Sequence, residues 1–416
     1  MLLFIYRLII NFIFLISPLI VLIRILKKKE DKIRFKEKFC LFSKKKIKKK
    51  LIWFHGASVG EISSIIPLVF KLEKNNEIDQ ILITSSTLSS SNILSKFKFK
   101  KTVHQFFPID TNNLSKKFLN HWKPSLAIFI DSEIWPNMIL NLKEKSIPIL
   151  LLNARITKKS FHRWRILGKF SKTIFQSINK CLVSNQETVK YLRYFGVKNV
   201  KSIGNLKFVQ NKYINLSLPK NLTKLLSNKK TWCSSSTHRG EEFISIKVHK
   251  ILKKKFKSII SIIIPRHIDR SSELVKMFNE HNLKVHCHSW KSKIPEKIDI
   301  YLVDTYGETE KFFNLIKIVF IGGSLIKHGG QNPLEPARHG CNVLYGPHVD
   351  NFKSIYNYLD KIKVSKKIQG DKSLYKNIET LIRNNRKTKS VVKKVKNLGD
   401  KILIMTVKEI KKTLVK

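Results

Sequence analysis

The chain has 416 residues, of which 43% are hydrophobic, and a formal net charge of +52. That length allows two domains with sizeable cores, and the charge points to anionic partners such as nucleic acid, anionic lipid or nucleotide. The five cysteines lie far apart with no C-x-x-C pair, so the sequence indicates neither a zinc site nor a disulfide framework. The lysines are dispersed as single residues and short runs, which favours compositional drift in a generally anionic environment over a specific polyanion groove.

Residues 1–23 are almost entirely apolar and carry one charged side chain, Arg7, before a basic run at 24–29. About 20 apolar residues suffice to span a bilayer as a helix. The basic flank places the body of the protein in the cytoplasm by the positive-inside rule. We therefore expect an N-terminal membrane anchor rather than a cleaved signal. Arg7 and Pro18 leave open whether it spans the bilayer or lies in the interface.

From residue 51 onward, short apolar runs alternate with longer amphipathic segments. Runs of this kind are typical of parallel strands covered on both faces, so the pattern predicts two α/β halves facing a cleft. The polar segment 204–221 indicates a linker between the halves. The expected divisions are a membrane anchor (1–27), an N-terminal Rossmann-like domain (28–210), a C-terminal Rossmann-like domain (211–385) and a basic helix (386–416). The predicted strands are 51–54, 80–85, 103–108, 126–131, 147–153 and 180–185, then 231–236, 258–265, 283–288, 299–304, 318–323 and 341–346.

The segment "HGASVGE" leads from the first predicted strand into a helix beginning near Glu61. The helix dipole should favour an ionised carboxylate there, and an ionised carboxylate in a ligand-binding loop can act as a general base. An acid in the first turn of a helix is also an ordinary dipole partner. No lysine or arginine lies within residues 51–70, so this stretch brings no ammonium that would lower the basicity of Glu61.

Two further segments follow predicted strands of the first half, and a third lies at the hinge between the halves. "DSEIWPN" offers Asp131 and Glu133 to ligand hydroxyls, unless Asp131 or Ser132 instead caps the next helix. "NARITKKS" contributes Arg155. The chain has no D-x-D motif, so we predict no metal or other cofactor, and a leaving phosphate would be stabilised by cations such as Lys207 in "GNLKF".

The second half shows ligand-like loops after four predicted strands. "SSSTHRGEE" (234–242) resembles a helix N-terminus suited to a phosphate, "PRHIDR" places Arg266 beside it, and "DTYGE" places Gly307 at another strand end. The strongest signal is "FIGGSLIKHGGQNPLEPARHG", in which Glu335 could accept from both hydroxyls of a ribose. These loops predict a nucleotide site. "HCHSW" (286–290) is a weak metal signal, and a strand is the preferred interpretation.

Taken in order, the segments "HGASVGE", "DSEIWPN", "NARITKKS", "GNLKF", "STHRGEE", "PRHIDR", "DTYGE" and "GGSLIKHGGQNPLEPARHG" resemble those of the 3-deoxy-D-manno-octulosonic acid (Kdo) transferases of Gram-negative bacteria. The resemblance runs from the N-terminus to about residue 360. It implies an α/β fold of the GT-B type and inverting transfer of Kdo from CMP-Kdo to a lipid A precursor (lipid IVA) in lipopolysaccharide core biosynthesis. It also implies a monotopic or single-pass enzyme on the cytoplasmic face of the inner membrane. The lysines would then hold the body against anionic lipids, and their dispersal argues against nucleic acid as a partner.

On matching positions, the resemblance makes Glu61 the general base that deprotonates the acceptor hydroxyl. It places Asp131 and Lys207 where transition-state stabilisation is credited. The family usually has glutamate in place of Asp131, so Glu133 is an alternative for that role. The residues implied to hold the CMP moiety are Pro265, Arg266, Gly307, Glu308, Thr309, Asn332, Pro333, Leu334 and Glu335.

Two other functions compete with this interpretation. A GT-B transferase using a UDP-sugar and a membrane lipid acceptor would share the anchor, the cleft and the glycine-rich loop, and donor competition would separate the two. A membrane-tethered nucleic-acid binder would need clustered lysines interleaved with stacking aromatics, whereas the lysines here are dispersed. The sequence does not indicate how many Kdo residues are transferred.

Overall fold

The computed structural model describes residues 1–47, 50–209, 217–384 and 389–414. The chain divides into two units, Met1–Tyr213 with Leu398–Lys416, and Ile214–Asn397. The predicted divisions at 210/211 and 385/386, and the middle of the predicted linker, fall outside the described residues, so those divisions stay predictions.

The first unit is built around a parallel sheet whose central strands are buried on both faces, as their continuous apolar sequences predict. Its strands are β1 (Leu51–His55), β2 (Gln80–Ser85), β3 (Thr102–Phe106), β4 (Leu126–Ile130), β5 (Ile149–Ala154), β6 (Lys180–Val183) and β7 (Val200–Ser202). Its helices are α1 (Leu2–Leu26), α2 (Val59–Glu73), α3 (Leu88–Leu94), α4 (Asn112–Trp122), α5 (Pro136–Glu144), α6 (Lys158–Ile166), α7 (Gly168–Gln176) and α8 (Gln186–Tyr194), with 3-10 turns at Arg34–Phe39 and Leu206–Phe208.

The second unit repeats this plan. Its strands are β8 (Thr231–Thr237), β9 (Ile260–Pro265), β10 (Val285–Cys287), β11 (Ile300–Leu302), β12 (Ile318–Ile321), β13 (Asn342–Tyr345) and β14 (Ser365–Lys367). Its helices are α9 (Lys220–Ser227), α10 (Glu241–Lys255), α11 (Ser271–Glu280), α12 (Thr309–Phe313), α13 (Leu334–Arg338), α14 (Lys353–Lys361), α15 (Asp371–Asn384) and the start of α16 (Lys389–Leu414), with a 3-10 turn at Ile268–Arg270. The remainder of α16 belongs to the first unit.

Both sheets are seven-stranded with parallel pairing throughout, in the orders β3-β2-β1-β4-β5-β6-β7 and β10-β11-β9-β8-β12-β13-β14. The chain reverses its direction across the first sheet between β1 and β4, and across the second between β8 and β12. Ligands in open α/β sheets bind outside the carboxyl ends of the strands at such points. The topology therefore marks one candidate edge in each unit.

Twelve strands and the α/β class are confirmed, with strand ends within two residues of the prediction. The strands β7 and β14 were missed because their sequences, "VKS" and "SKK", are polar and lie at the sheet edges. Helix α1 agrees with the predicted N-terminal helix, and its length and mean hydropathy of 2.6 suit a membrane anchor. The segment "HCHSW" begins in β10, as its preferred interpretation held.

Candidate active site

In the first unit, Glu61 lies in the opening turn of α2, just past the carboxyl end of β1. Ser58 caps this helix, and the two residues form a reciprocal capping box. The Glu61 carboxylate accepts from the Ala57 amide (2.7 Å), the Ser58 hydroxyl (2.9 Å) and the Ser58 amide (3.3 Å). Glu61 is therefore an ordinary helix-terminal acid in its local structure, as one of the two interpretations of the sequence predicted. The hydrogen bonds from Ala57 and Ser58 hold its carboxylate in place.

The electrostatics of Glu61 differ from the expectation of a readily ionised acid. Burial raises its pKa to about 7, the negative charges of Glu133 and Asp131 add to that rise, and the hydrogen bonds from Ser58 oppose it. The expected effect of the helix dipole is outweighed because the carboxyl group is removed from water and faces two other acids. A carboxylate that titrates near neutral pH suits general-base chemistry.

Asp131 directly follows β4 and has a left-handed backbone conformation (φ 56°). Burial raises its pKa, while Lys207, Asn153 and Arg155 counteract that rise. The side-chain amide of Asn153 donates to the Asp131 carboxylate, and its oxygen accepts from the Leu206 amide (2.9 Å). Asn153 thus joins the Asp131 loop to the 3-10 turn that carries Lys207.

The alternative role for this loop, capping of α5, is wrong. Trp135 occupies the N-cap position of α5, without a side-chain cap. Ser132 instead donates to the Arg155 carbonyl (2.8 Å), which ties the loop after β4 to the loop after β5. Asp131 and Arg155 are consequently brought to the same edge of the sheet.

Glu133 lies in the same cluster, held by two aromatic neighbours. The Trp135 indole donates to its Oε2 at 2.8 Å, and His55 Nε2 lies 3.3 Å from the same oxygen. His55 is fully buried, stacks on Phe107 and contacts Thr84 Oγ1 at 3.0 Å. The carboxylates of Glu61, Asp131 and Glu133 therefore share one edge of the sheet.

In the second unit, Glu241 is the first residue of α10, and the sequence did not reveal its role. Its carboxylate accepts from the amides of His238 (3.0 Å), Gly323 (2.6 Å), Ser324 (3.1 Å) and Leu325 (3.1 Å). These four amides therefore bind an internal carboxylate, and the suitability of 234–242 for a phosphate stays a prediction.

The glycine-rich loop passes very close to the end of β8. A Cβ atom on Gly322 would lie 2.4 Å from the Ser236 carbonyl oxygen, so only glycine fits there. The imidazoles of His238 and His328 lie 4.0 Å apart, centroid to centroid, and Gln331 Nε2 is 3.2 Å from His238 Nε2. Burial, with the neighbouring histidines, lowers the pKa of His238 to about 4, so this imidazole is neutral at pH 7.

The predicted CMP residues lie at strand ends and in short helices near this edge. Pro265 ends β9. The positive charge of the exposed Arg266 helps to lower the pKa of His238 and opposes the rise in the pKa of Glu335. Asn332 donates to Glu335 Oε1 (3.1 Å) and accepts from the Leu334 amide (3.1 Å). Pro333 precedes and Leu334 begins α13. The structure thus brings Arg266 and the 332–335 segment together.

The 307–309 segment lies close to the 332–335 segment because the helices α12 and α13 pack on each other. Gly307 has φ +83°, and Thr309 begins α12, which packs on α13. Burial together with the negative charge of Glu335 raises the pKa of Glu310 to about 7. The Glu308 carboxylate pairs with Lys311 Nζ at 2.8 Å. Among the described residues, no group of three or more His, Cys, Asp or Glu side chains is arranged to hold a metal ion.

Comparison with known proteins decides the family. A family model described as 3-deoxy-D-manno-octulosonic-acid transferase (Kdo transferase) matches residues 33–210. The 3-deoxy-D-manno-octulosonic acid transferase of Rickettsia bellii is 35% identical, over 89% of this chain and 90% of that protein. The chain belongs to the Kdo transferase family. The Kdo transferase of Haemophilus influenzae is 29% identical, over 75% of this chain and 74% of that protein.

Among solved structures, the UDP-GlcNAc 2-epimerase of Neisseria meningitidis has a TM-score of 0.57, with 13% identity, over 88% of this chain and 99% of that chain. At that identity the likeness concerns the fold alone. It supports the GT-B type predicted for this Kdo transferase. Family membership makes the chain a glycosyltransferase, and the matched region contains Glu61, Asp131 and Lys207.

Proposed function

We propose that this chain transfers Kdo from CMP-Kdo to a lipid A precursor, lipid IVA, with inversion at the anomeric carbon. Family membership supports Kdo transfer in lipopolysaccharide core biosynthesis. The observation that carries the mechanism is the raised pKa of Glu61, about 7, inside a cluster of three carboxylates at the switch point of the first sheet. CMP-Kdo as the donor and lipid IVA as the acceptor are likewise proposed.

Glu61 is the general base in this mechanism. Its carboxylate takes the proton of the acceptor hydroxyl as the acceptor oxygen forms a bond to the anomeric carbon of Kdo. The bond between that carbon and the phosphate oxygen breaks at the same time, and CMP leaves with the bonding electron pair. The near-neutral pKa supports this role because a base is most effective when its pKa lies near the working pH.

Asp131 and Lys207 stabilise the transition state. The positive charge of Lys207 opposes the rise in the pKa of Asp131. Asn153 hydrogen-bonds to both the Asp131 carboxylate and the Leu206 amide. A fixed carboxylate and ammonium can oppose the positive charge that develops on the sugar and the negative charge on the leaving phosphate. Glu133 is the alternative carboxylate for this role.

The CMP moiety binds in the second unit. Arg266 pairs with the phosphate, since a guanidinium matches its geometry, and Glu335 accepts from the ribose hydroxyls. The charge that Arg266 exerts on Glu335 supports one shared site. The remaining residues assigned to it are Pro265, Gly307, Glu308, Thr309, Asn332, Pro333 and Leu334.

Helix α1 anchors the enzyme to the cytoplasmic face of the inner membrane. The apolar sequence of α1 and the basic residues Lys27 to Lys29 after it support that location. Anionic lipids are then partners and nucleic acid is not. We assign the functional parts to the predicted divisions. These are the membrane anchor (1–27), the two Rossmann-like domains (28–210 and 211–385) and the C-terminal basic helix (386–416).

The test is a mass spectrum of the lipid product. Purified protein in detergent is mixed with CMP-Kdo and tetraacylated lipid A precursor, and the lipid mass should rise by one or more Kdo units. Glu61→Gln should lower turnover by about 10²- to 10⁴-fold while CMP binding persists. Glu144→Gln, an exposed carboxylate paired with Lys116, is the matched control and should retain activity.

Three outcomes would contradict the proposal. Near-full turnover by Glu61→Gln would remove the assignment of the base. No mass gain with CMP-Kdo would overturn the donor or the acceptor. A mass gain with UDP-sugars in its place would favour the competing GT-B transferase.

A further inference from the structure

The N-terminal end of α1 is hydrogen-bonded to the first unit. The Tyr6 hydroxyl donates to Asp110 Oδ2 (2.7 Å), and the Arg7 guanidinium donates to Asn137 Oδ1 (3.0 Å) and Asn112 Oδ1 (3.1 Å). Asp110 is 1% exposed and also accepts from the backbone amide of Asn137 (3.0 Å). The folded domain thus supplies the hydrogen-bond acceptors of Tyr6 and Arg7.

The remainder of α1 packs on the same unit. The Phe14 ring packs on Phe39 (6.0 Å between centroids), and Ser17 and Val21 are buried. Together with Tyr6, these positions recur at intervals that keep them on one face of a helix. The domain therefore contacts α1 from its first two turns to its last two.

The opposite face of α1 is an uninterrupted apolar stripe. Its side chains recur every three or four residues, and each is more than half exposed. The stripe includes Phe4, Leu8, Phe12, Leu15, Leu19 and Leu22.

These contacts are incompatible with a spanning helix. A 25-residue helix is about 37 Å long, and the hydrocarbon core of a bilayer is about 30 Å thick. If α1 crossed it, Tyr6 and Arg7 would emerge on the side opposite to the folded body. They could not then reach Asp110 and Asn137, whose backbone belongs to that body.

Basic side chains lie near both ends of α1. In α6, the exposed Arg163 and Arg165 precede Ile166, which is 82% exposed, and α7 places Phe170 against Tyr6 (6.4 Å between ring centroids). At the other end of α1, Lys27 to Lys29 are exposed. Cations beside an apolar face match a bilayer surface with anionic headgroups.

We propose that α1 lies in the plane of one leaflet of an anionic phospholipid bilayer, with its apolar stripe among the acyl chains, and does not cross the membrane. The proposal rests on the membrane association given under the proposed function and specifies its geometry. The Tyr6 and Arg7 hydrogen bonds hold the helix flat against the domain.

Depth-dependent quenching tests the orientation. Phe4→Cys, Leu15→Cys and Leu26→Cys are each labelled with a fluorophore in the full chain, whose five native cysteines are buried. The protein is reconstituted into phosphatidylethanolamine and phosphatidylglycerol vesicles that carry quenchers at shallow or deep acyl positions. An in-plane helix places all three labels at one shallow depth. A spanning helix places Leu15 deeper than the end labels by roughly 16 Å, from the rise of 1.5 Å per residue, and that result would overturn the proposal.

A flotation assay separates this inference from the proposed function. Failure of the protein to float with the vesicles would reject membrane association itself. Flotation with graded label depths would reject only the in-plane geometry.

The same assay tests the charge component. Arg163→Gln with Arg165→Gln should weaken binding to anionic vesicles about thirtyfold, at roughly 1 kcal/mol per basic residue near the surface. Lys372→Gln with Lys376→Gln, which removes two exposed charges from α15, is the matched control and should change little. Equal losses in both pairs would mean that the basic flank of α1 is not the lipid-facing surface.

Discussion

Glu61 is subject to two opposing local influences. The amides of Ala57 and Ser58 and the Ser58 hydroxyl stabilise its charged form, while burial and two neighbouring carboxylates stabilise its neutral form. The second influence prevails, and the pKa rises to about 7. A base with that pKa is half ionised near neutral pH, so the activity of the enzyme should depend on pH in this range.

Removing the neighbouring charge should shift that dependence. In Glu133→Gln, one of the groups that raise the pKa of Glu61 is lost, so Glu61 ionises at lower pH. We expect the rising limb of the turnover–pH profile to lie near pH 7 in the wild type and at lower pH in the variant. A limb that stays in place would show that Glu61 does not control it. A Glu144→Gln control should leave the profile unchanged.

Asn153 should matter as a positioning residue. Asn153→Ala removes the amide that links Asp131 to the Lys207 turn, and misplaced catalytic groups cost about ten- to a hundredfold in rate. We expect kcat to fall with little change in the KM for the donor. Asn179→Ala, which removes a similar bond to the Ile149 amide at the other end of β5, is the control. Equal losses of kcat in both variants would indicate general destabilisation.

At the scale of secondary structure, the start of α2 couples stability to chemistry. Ser58→Ala breaks the capping box, which should lower the free energy of unfolding by about 1 kcal/mol. It also removes a hydrogen bond that lowers the pKa of Glu61, so the pH limb should move upward. Asn185→Ala, which uncaps α8, should cost similar stability without moving the limb. Thermal denaturation and turnover–pH profiles distinguish the two effects.

The elements themselves were largely predictable because long apolar runs such as "QILITS" admit few structures other than buried strands. The short polar strands β7 and β14 were not, since only their neighbours make them strands. The position of Glu61 in the first turn of a helix after β1 was predictable from its motif. Asn153 and Glu241 were missed because their roles depend on partners distant in the chain, such as Leu206 and Gly323. Local sequence also could not weigh burial against the dipole at Glu61.

At the scale of the whole chain, the C-terminal helix returns to the first unit. Glu409 is buried and pairs with Lys180 Nζ (2.5 Å) and Lys201 Nζ (2.7 Å). Burial alone would raise its pKa, but the two ammonium groups outweigh burial and lower the pKa to about 2. Since the unfolded carboxyl titrates near 4.5, this stabilisation is complete above that pH and is lost as the pH falls towards 2.

Glu409→Gln should therefore destabilise the protein at pH 7 by about 1–2 kcal/mol, less than the full pKa shift implies because the half-exposed Lys201 is screened by solvent. The difference from wild type should narrow below about pH 4.5. Denaturant unfolding at several pH values measures this. Glu144→Gln, whose exposed pair with Lys116 contributes less than about 1 kcal/mol, should show neither effect. A penalty independent of pH would mean that the ion pairs are not its source.

The carboxylate of Glu241 has a consequence for kinetics. Because it keeps the amides of Gly323, Ser324 and Leu325 occupied, the glycine-rich loop holds its shape without a nucleotide. A loop that is already ordered loses little conformational entropy when the donor arrives, and it needs no closing step before chemistry. Donor association should then follow a single exponential whose rate rises linearly with donor concentration, without the plateau that an induced fit produces.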